Sequence, residues 1–202
     1  MIPRIKICGI TNLDDALAAC RMGADALGFV LAPSPRQVSP EQARAIIAAL
    51  PPLVNTVGVF VDATPVEVSE LRRFCGLDWV QLHGDENEDY AAALGRRVIK
   101  ALRVSVERIP DAAAYPGCPL LLDTYHPQAV GGTGQSFDWS LAQAVARQRP
   151  IILAGGLTPD NVSRAIKQVQ PFAVDVSSGV EKQKGVKDHE RIASFIAQVR
   201  RG

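Results

Sequence analysis

Cys8 lies in the run Lys6-Ile7-Cys8-Gly9-Ile10-Thr11-Asn12, where a short apolar strand gives way to a helix. Alternation along such a strand sends Ile5 and Ile7 to one side and Lys6 and Cys8 to the other. Gly9 permits a sharp turn, and Thr11 or Asn12 can cap the helix that follows. A thiol beside a cation and near the positive end of a helix should ionise more readily than free cysteine, whose pKa is about 8.5. That nominates Cys8 as a base or nucleophile, against the ordinary alternative of a buried structural cysteine.

Other reactive groups also stand where apolar runs end. One run closes with Gln81-Leu82-His83-Gly84, which puts Gln81 and His83 on the same side. Another closes with Leu121-Leu122-Asp123, and a third gives Asp175 before Ser177-Ser178-Gly179. Arg36 follows Ser34-Pro35 on a stiff loop. Singly, His83 could be a satisfied half-buried histidine and Asp123 a turn cap. Only convergence on one face would make them a site.

The elements that must position them are short apolar runs near residues 4–8, 26–30, 55–61, 79–83, 97–101, 119–123, 151–154 and 173–176. Amphipathic stripes lie between them. These are Leu13, Ala16, Leu17 and Cys20; Ala43, Ile46, Ile47 and Leu50; Val162, Ala165, Ile166 and Val169; and Ile192, Phe195, Ile196 and Val199. Ser39-Pro40, Thr64-Pro65 and Thr158-Pro159 read as helix starts, with Gln42 and Glu67 completing two capping boxes. Residues 103–118 hold two prolines and a glycine, so the fifth helix should be short, irregular or missing, and a Glu86–Leu94 helix should be brief.

Repeated strand–helix units imply right-handed crossovers and a parallel sheet. Eight units in 202 residues fit one compact (β/α)8 TIM barrel over residues 1–202, with no linker or composition break. A doubly wound open sheet is the competitor, although the usual Gly-x-Gly-x-x-Gly after the first strand is absent. In a barrel, chemistry sits at the carboxyl ends of the strands, where Cys8, His83, Asp123 and Asp175 fall.

Composition narrows the function classes. The chain is 47% hydrophobic with a net charge of +1, which suits a packed core. Scattered Lys and Arg argue against a nucleic-acid groove or a polybasic membrane patch. No apolar run reaches membrane-span length and no signal-peptide pattern opens the sequence, so the cytoplasm is the expected compartment. Cysteines at 8, 20, 75 and 118 lack disulfide or zinc spacing, and no metal or other cofactor is expected. A monomer is expected, with a homodimer as the alternative.

Glycine-rich segments follow the last three strands. Gly155-Gly156 and Ser178-Gly179 suit a phosphate, because backbone amides can approach it closely and loops seven and eight are this barrel's recurrent phosphate site. Gly131-Gly132-Thr133-Gly134 reads instead as a lid.

As an ordered set these motifs resemble the phosphoribosylanthranilate isomerase family of tryptophan biosynthesis. The resemblance runs through Lys-Ile-Cys-Gly-Ile-Thr at 6–11, Gly-Phe-Val at 28–30, Ser-Pro-Arg at 34–36 and Gly-Val-Phe-Val at 58–61. Gln-Leu-His-Gly at 81–84, Leu-Leu-Asp at 121–123, Gly-Gly-Thr-Gly at 131–134 and Phe-Asp-Trp at 137–139 continue it. Leu-Ala-Gly-Gly-Leu at 153–157 and Asp-Val-Ser-Ser-Gly-Val-Glu at 175–181 complete it.

The resemblance implies an Amadori rearrangement of N-(5-phosphoribosyl)anthranilate with Asp123 as general acid and Cys8 as general base. It further implies Arg36 on the anthranilate carboxylate and Asp175 near its amine. Gln81 and His83 would line the substrate, and Gly155, Gly156, Ser178 and Gly179 would hold its phosphate. Lys6 is left between thiolate support and an interior salt bridge. A noncatalytic phosphate-binding barrel has no need of Cys8 and Asp123 together. Indoleglycerol-phosphate synthase calls for a lysine acid, and a histidine-pathway isomerase for an aspartate in place of Cys8.

Overall fold

The structure is a computed structural model that describes residues 2–105, 110–123 and 139–201. Eight parallel strands close into a ring in chain order. They are β1 (Arg4–Cys8), β2 (Ala26–Val30), β3 (Asn55–Phe60), β4 (Trp79–Leu82), β5 (Val98–Arg103), β6 (Leu120–Asp123), β7 (Ile151–Ala154) and β8 (Ala173–Val176). β1 pairs with both β2 and β8, so the sheet is a closed barrel and not the open alternative.

Among the described residues seven helices surround the ring: α1 (Leu13–Met22), α2 (Pro40–Ala48), α3 (Pro65–Cys75), α4 (Glu88–Ala93), α5 (Ser140–Ala146), α6 (Val162–Val169) and α7 (His189–Arg201). Between β5 and β6 no helix occurs among the described residues, in line with the proline-broken pattern there. A two-stranded hairpin of β9 (Glu181–Gln183) and β10 (Val186–Lys187) follows β8 and has no counterpart in the apolar pattern.

Local chemistry explains most helix starts. Ser39 accepts from the Gln42 N–H while the Gln42 side chain returns to the Ser39 N–H, a full capping box. Thr64 caps the Glu67 N–H. Asn12, rather than Thr11, caps α1 by accepting from the Asp15 N–H. Thr11 instead donates to the Gly185 carbonyl.

Three helix expectations shift. Thr158-Pro159 forms a turn whose Thr158 carbonyl accepts from Asn161 and Val162, and α6 begins only at Val162. Glu86 precedes α4, because its carboxylate is drawn into a buried 2.6 Å pair with Lys100. In α1 the buried face is Asp15, Ala16, Ala18 and Ala19, while Leu13 is exposed. A buried hydrogen-bonded carboxylate, invisible to a hydrophobic pattern, rotates that helix.

Side chains divide into two apolar layers. Val57, Ile99, Ala101, Leu121, Ile152, Ala154 and Ala173 fill the inside of the barrel. Ile5, Ile7, Leu27, Leu120, Leu122 and Val174 alternate with them and pack outward against helix residues such as Ile192 and Phe195.

Candidate active site

Strand alternation fixes which side chains reach the barrel axis. Lys6 and Cys8 share one side of β1, and Leu121 and Asp123 share one side of β6. Leu121 belongs to the interior layer, so Asp123 projects to the same side, one step nearer the carboxyl end. Cys8 likewise ends β1. The thiol and the carboxyl therefore share one rim of the closed ring.

Gly28 makes room for the thiol. It is the register partner of Cys8, and a Cβ added there would lie 2.7 Å from Cys8 Sγ and 3.2 Å from Lys6 Nζ. Below the thiol, Lys6 Nζ donates to Asp175 Oδ1 at 2.9 Å, with both side chains buried. Lys6 is thus an interior ion-pair partner, and it also hydrogen-bonds Cys8. Burial alone would lower its pKa, but Asp175 and Cys8 together hold it above the ordinary lysine value.

The expectation of an easily ionised thiol does not hold. Burial pushes the Cys8 thiol up, and Asp175 adds to this, while Lys6 and Lys187 pull it down by less. The helix terminus gives little help, since α1 begins only at Leu13. The nearby cations are also committed to carboxylates, Lys6 to Asp175 and Lys187 to Glu181.

Across the rim, Gln81 Nε2 lies 3.0 Å from His83 Nδ1, and His83 Nε2 lies 3.5 Å from Asp123 Oδ2. Gln81 is only 1% exposed. Its side-chain amide is thus packed against the His83 ring. Asp123 keeps 24% side-chain exposure and His83 28%, so both open to the rim.

Arg36, expected to meet a substrate carboxylate, is already paired with a carboxylate of the chain itself. Its Nε donates to Glu181 Oε1 and its Nη2 to Glu181 Oε2, both at 2.7 Å. Lys187 Nζ reaches the same Glu181 Oε1 at 3.0 Å and the Ser177 carbonyl at 3.2 Å. Gly9, at φ +73°, lets the chain pass close to this cluster; a Cβ there would stand 2.6 Å from Arg36 Cδ. Sequence reasoning missed Lys187 and gave Glu181 no role. Neither lies on a periodic element, and the Arg36–Glu181 contact spans 145 residues of sequence, so no local signal marks it.

Gly155 and Gly156 follow β7 with φ of +88° and +62°. Ser178 and Gly179 belong to a single 3-10 turn after β8. A Cβ at Gly179 would collide with the Leu157 carbonyl oxygen, so the two loops lie against each other. The expected lid residues Gly131, Gly132, Thr133 and Gly134 lie outside the described residues. Among the described residues no group of three or more His, Cys, Asp or Glu is arranged to hold a metal ion.

The sequence profile of N-(5′-phosphoribosyl)anthranilate isomerase matches residues 5–198. The chain belongs to the phosphoribosylanthranilate isomerase family. As a member of that family it is an isomerase. The enzyme of this name from Pseudomonas fluorescens strain SBW25 is 57% identical over 201 residues, covering 98% of this chain and 95% of that one. A phosphoribosylanthranilate isomerase solved with reduced 1-(o-carboxyphenylamino)-1-deoxyribulose 5-phosphate is 46% identical. It covers 99% of this chain and all of its own at a TM-score of 0.89. Monomers generated from the dimeric Thermotoga maritima family member are 45% identical, at a TM-score of 0.87 with 98% of each chain covered.

Proposed function

We propose that this barrel, as one catalytic domain, converts N-(5-phosphoribosyl)anthranilate to 1-(2-carboxyphenylamino)-1-deoxyribulose 5-phosphate, with Asp123 as general acid and Cys8 as general base. The observation that carries the reading is a carboxyl and a thiol on one interior rim of a closed barrel, within a member of this family.

In the first step Asp123 gives its proton to the furanose ring oxygen. The C1–O bond breaks as the anthranilate nitrogen lone pair forms an iminium. In the second, the Cys8 thiolate takes the proton from C2, and the C2–H electrons form the enol-amine double bond while neutralising the iminium. Tautomerisation of the enol-amine gives the ketone. The iminium places a positive charge beside a thiol that burial otherwise keeps protonated, which favours thiolate during turnover. His83 bears on Asp123 from 3.5 Å and can return its proton between cycles.

Arg36 holds the anthranilate carboxylate, and Asp175, anchored by Lys6, faces the amine. The adjoining loops at Gly155-Gly156 and Ser178-Gly179 take the phosphate through backbone amides. The four cysteines are free thiols, which supports a cytoplasmic setting. No helix among the described residues is long and apolar enough to cross a membrane. Cys8→Ala and Asp123→Asn test the assignment by substrate fluorescence decay. Each should lose about 10²-fold or more in turnover, and near-normal turnover in either removes that residue from the mechanism.

A second copy of the chain is the partner favoured at the opposite, amino-terminal end of the barrel. A cavity of about 710 Å³ opens there, lined by Ile5, Val57, Ile99, Ile152, Leu53 and Phe172. Leu53 stands at its edge with 99% exposure and φ of +70°, and Phe172 is 49% exposed. A projecting apolar side chain beside an apolar hollow is self-complementary, as a two-fold interface requires. A 45%-identical relative is described as dimeric, which supports the same reading.

A further inference from the structure

We propose that Glu181 is a positioning residue that aims Arg36 at the carboxylate of the substrate. The proposal rests on the reading that Arg36 holds that carboxylate, and it adds a residue that never touches the ligand.

A guanidinium carries five N–H donors in a rigid plane and can offer two edges. Glu181 takes the edge formed by Nε and Nη2, with two bonds of 2.7 Å. The edge formed by Nη1 and the outer N–H of Nη2 then points along a direction fixed by the carboxylate behind it. A second carboxylate can dock there through two parallel bonds. Glu181 is itself held. Lys187 Nζ grips its Oε1 at 3.0 Å, and the Glu181 side chain is only 5% exposed.

Lys187 is anchored in turn. Its backbone N–H donates to Asp15 Oδ2 at 2.8 Å, and Asp15 Oδ1 pairs with His189 at 2.8 Å. The chain of contacts runs from the start of α7 through Asp15, Lys187 and Glu181 to Arg36. Each link is a charged or hydrogen-bonded group in a fixed geometry. The Arg36 side chain is 22% exposed, so one side of it reaches solvent while its stem is clamped.

Without Glu181, the guanidinium would have to be ordered by the substrate at the moment of binding. That cost falls on the ground state and the transition state alike, so it appears in KM and not in kcat. Loss of a residue needed only for folding would instead reduce the active fraction, so apparent kcat and thermal stability would fall while KM stayed unchanged.

The test compares steady-state kinetics of the wild type, Glu181→Gln, Arg36→Ala and the double variant, with Glu181→Ala as a second probe and thermal melting of each. Glu181→Gln should raise KM about tenfold with kcat within about twofold. In the Arg36→Ala background the same change should leave KM unaltered, because Glu181 acts through Arg36. Equal losses in both backgrounds, or a fall confined to kcat, would overturn the proposal. If Arg36→Ala itself leaves KM unchanged, the carboxylate assignment fails first. If Arg36→Ala raises KM while both Glu181 variants fold and bind normally, only the positioning role fails.

Discussion

Lys6 and Asp175 are register partners across the β1–β8 seam that closes the barrel, joined at 2.9 Å and almost wholly out of water. The pair lies under Cys8, so one ion pair both locks the ring and sets the field at the thiol. Much of the positive charge of Lys6 is spent on Asp175. Burial of the thiol, reinforced by Asp175, outweighs the downward pull of Lys6, so a lysine on the same strand face does not make Cys8 an easily ionised thiol.

The first prediction follows from that field. The pH midpoint for modification of Cys8 by a small thiol reagent, read by peptide mass mapping, should lie above the usual cysteine value of about 8.5. Lys6→Met should move it further upward, since it removes a cation and leaves Asp175 unpaired beside the thiol. The same variant should cost about 3–5 kcal/mol, the penalty for an abandoned buried charge. A midpoint at or below the free-cysteine value, or one unmoved by Lys6→Met, would refute this account.

Gly28→Ala should damage catalysis more than folding. The added methyl would press on Cys8 Sγ at 2.7 Å and Lys6 Nζ at 3.2 Å, displacing both. A misplaced base of this kind costs on the order of 10²-fold in kcat. Gly58→Ala is the control: its Cβ would meet Leu77 Cδ1 and Phe60 Cε2 in the outer layer, so melting temperature should drop while kcat holds. Parallel behaviour of the two variants would show that Gly28 serves packing alone.

Leu53→Asp should give a monomer with unaltered kcat, because Leu53 lies at the amino-terminal end of the barrel and Cys8 and Asp123 at the other. Sedimentation of wild type against variant decides it. Should the wild type sediment as a monomer at micromolar concentration, the self-complementary face is not an interface.

Strand number was legible because fully buried parallel strands are continuous apolar runs and the helix starts carry Ser-Pro and Thr-Pro signatures, whereas closure of the ring needed the β1–β8 pairing, since an open doubly wound sheet fits the same pattern. The placement of Cys8, His83, Asp123 and Asp175 at or beside the carboxyl ends of strands was legible from where the apolar runs stop. What stayed hidden was charge pairing. Lys100 with Glu86, Arg36 with Glu181, and Asp15 with His189 join residues 14, 145 and 174 positions apart, and no period of 2 or 3.6 encodes them. Those same pairs altered the start of α4 and the buried face of α1, and gave Arg36 a carboxylate partner within the chain. The β9–β10 hairpin, with residues 181–183 and 186–187, carries two of the hidden partners and has too few apolar residues to register as strands.

Acid should loosen this last cluster in a defined direction. Burial by itself would raise the Glu181 carboxyl, but hydrogen bonds from Arg36 and Lys187 hold its pKa below the ordinary value. A carboxyl depressed in the folded state contributes stability above its unfolded pKa, about 4.3, and loses it as pH falls through the depressed value. At pH 7, Glu181→Gln should therefore melt below the wild type, since Arg36 and Lys187 lose their counter-charge. The gap should narrow progressively as pH drops below about 4.3, where the wild-type carboxyl also becomes neutral. Melting curves of both proteins from pH 7 to pH 3 test the sign. A gap that is constant across this range, or that widens on acidification, would mean that the carboxylate charge of Glu181 does not hold the cluster together.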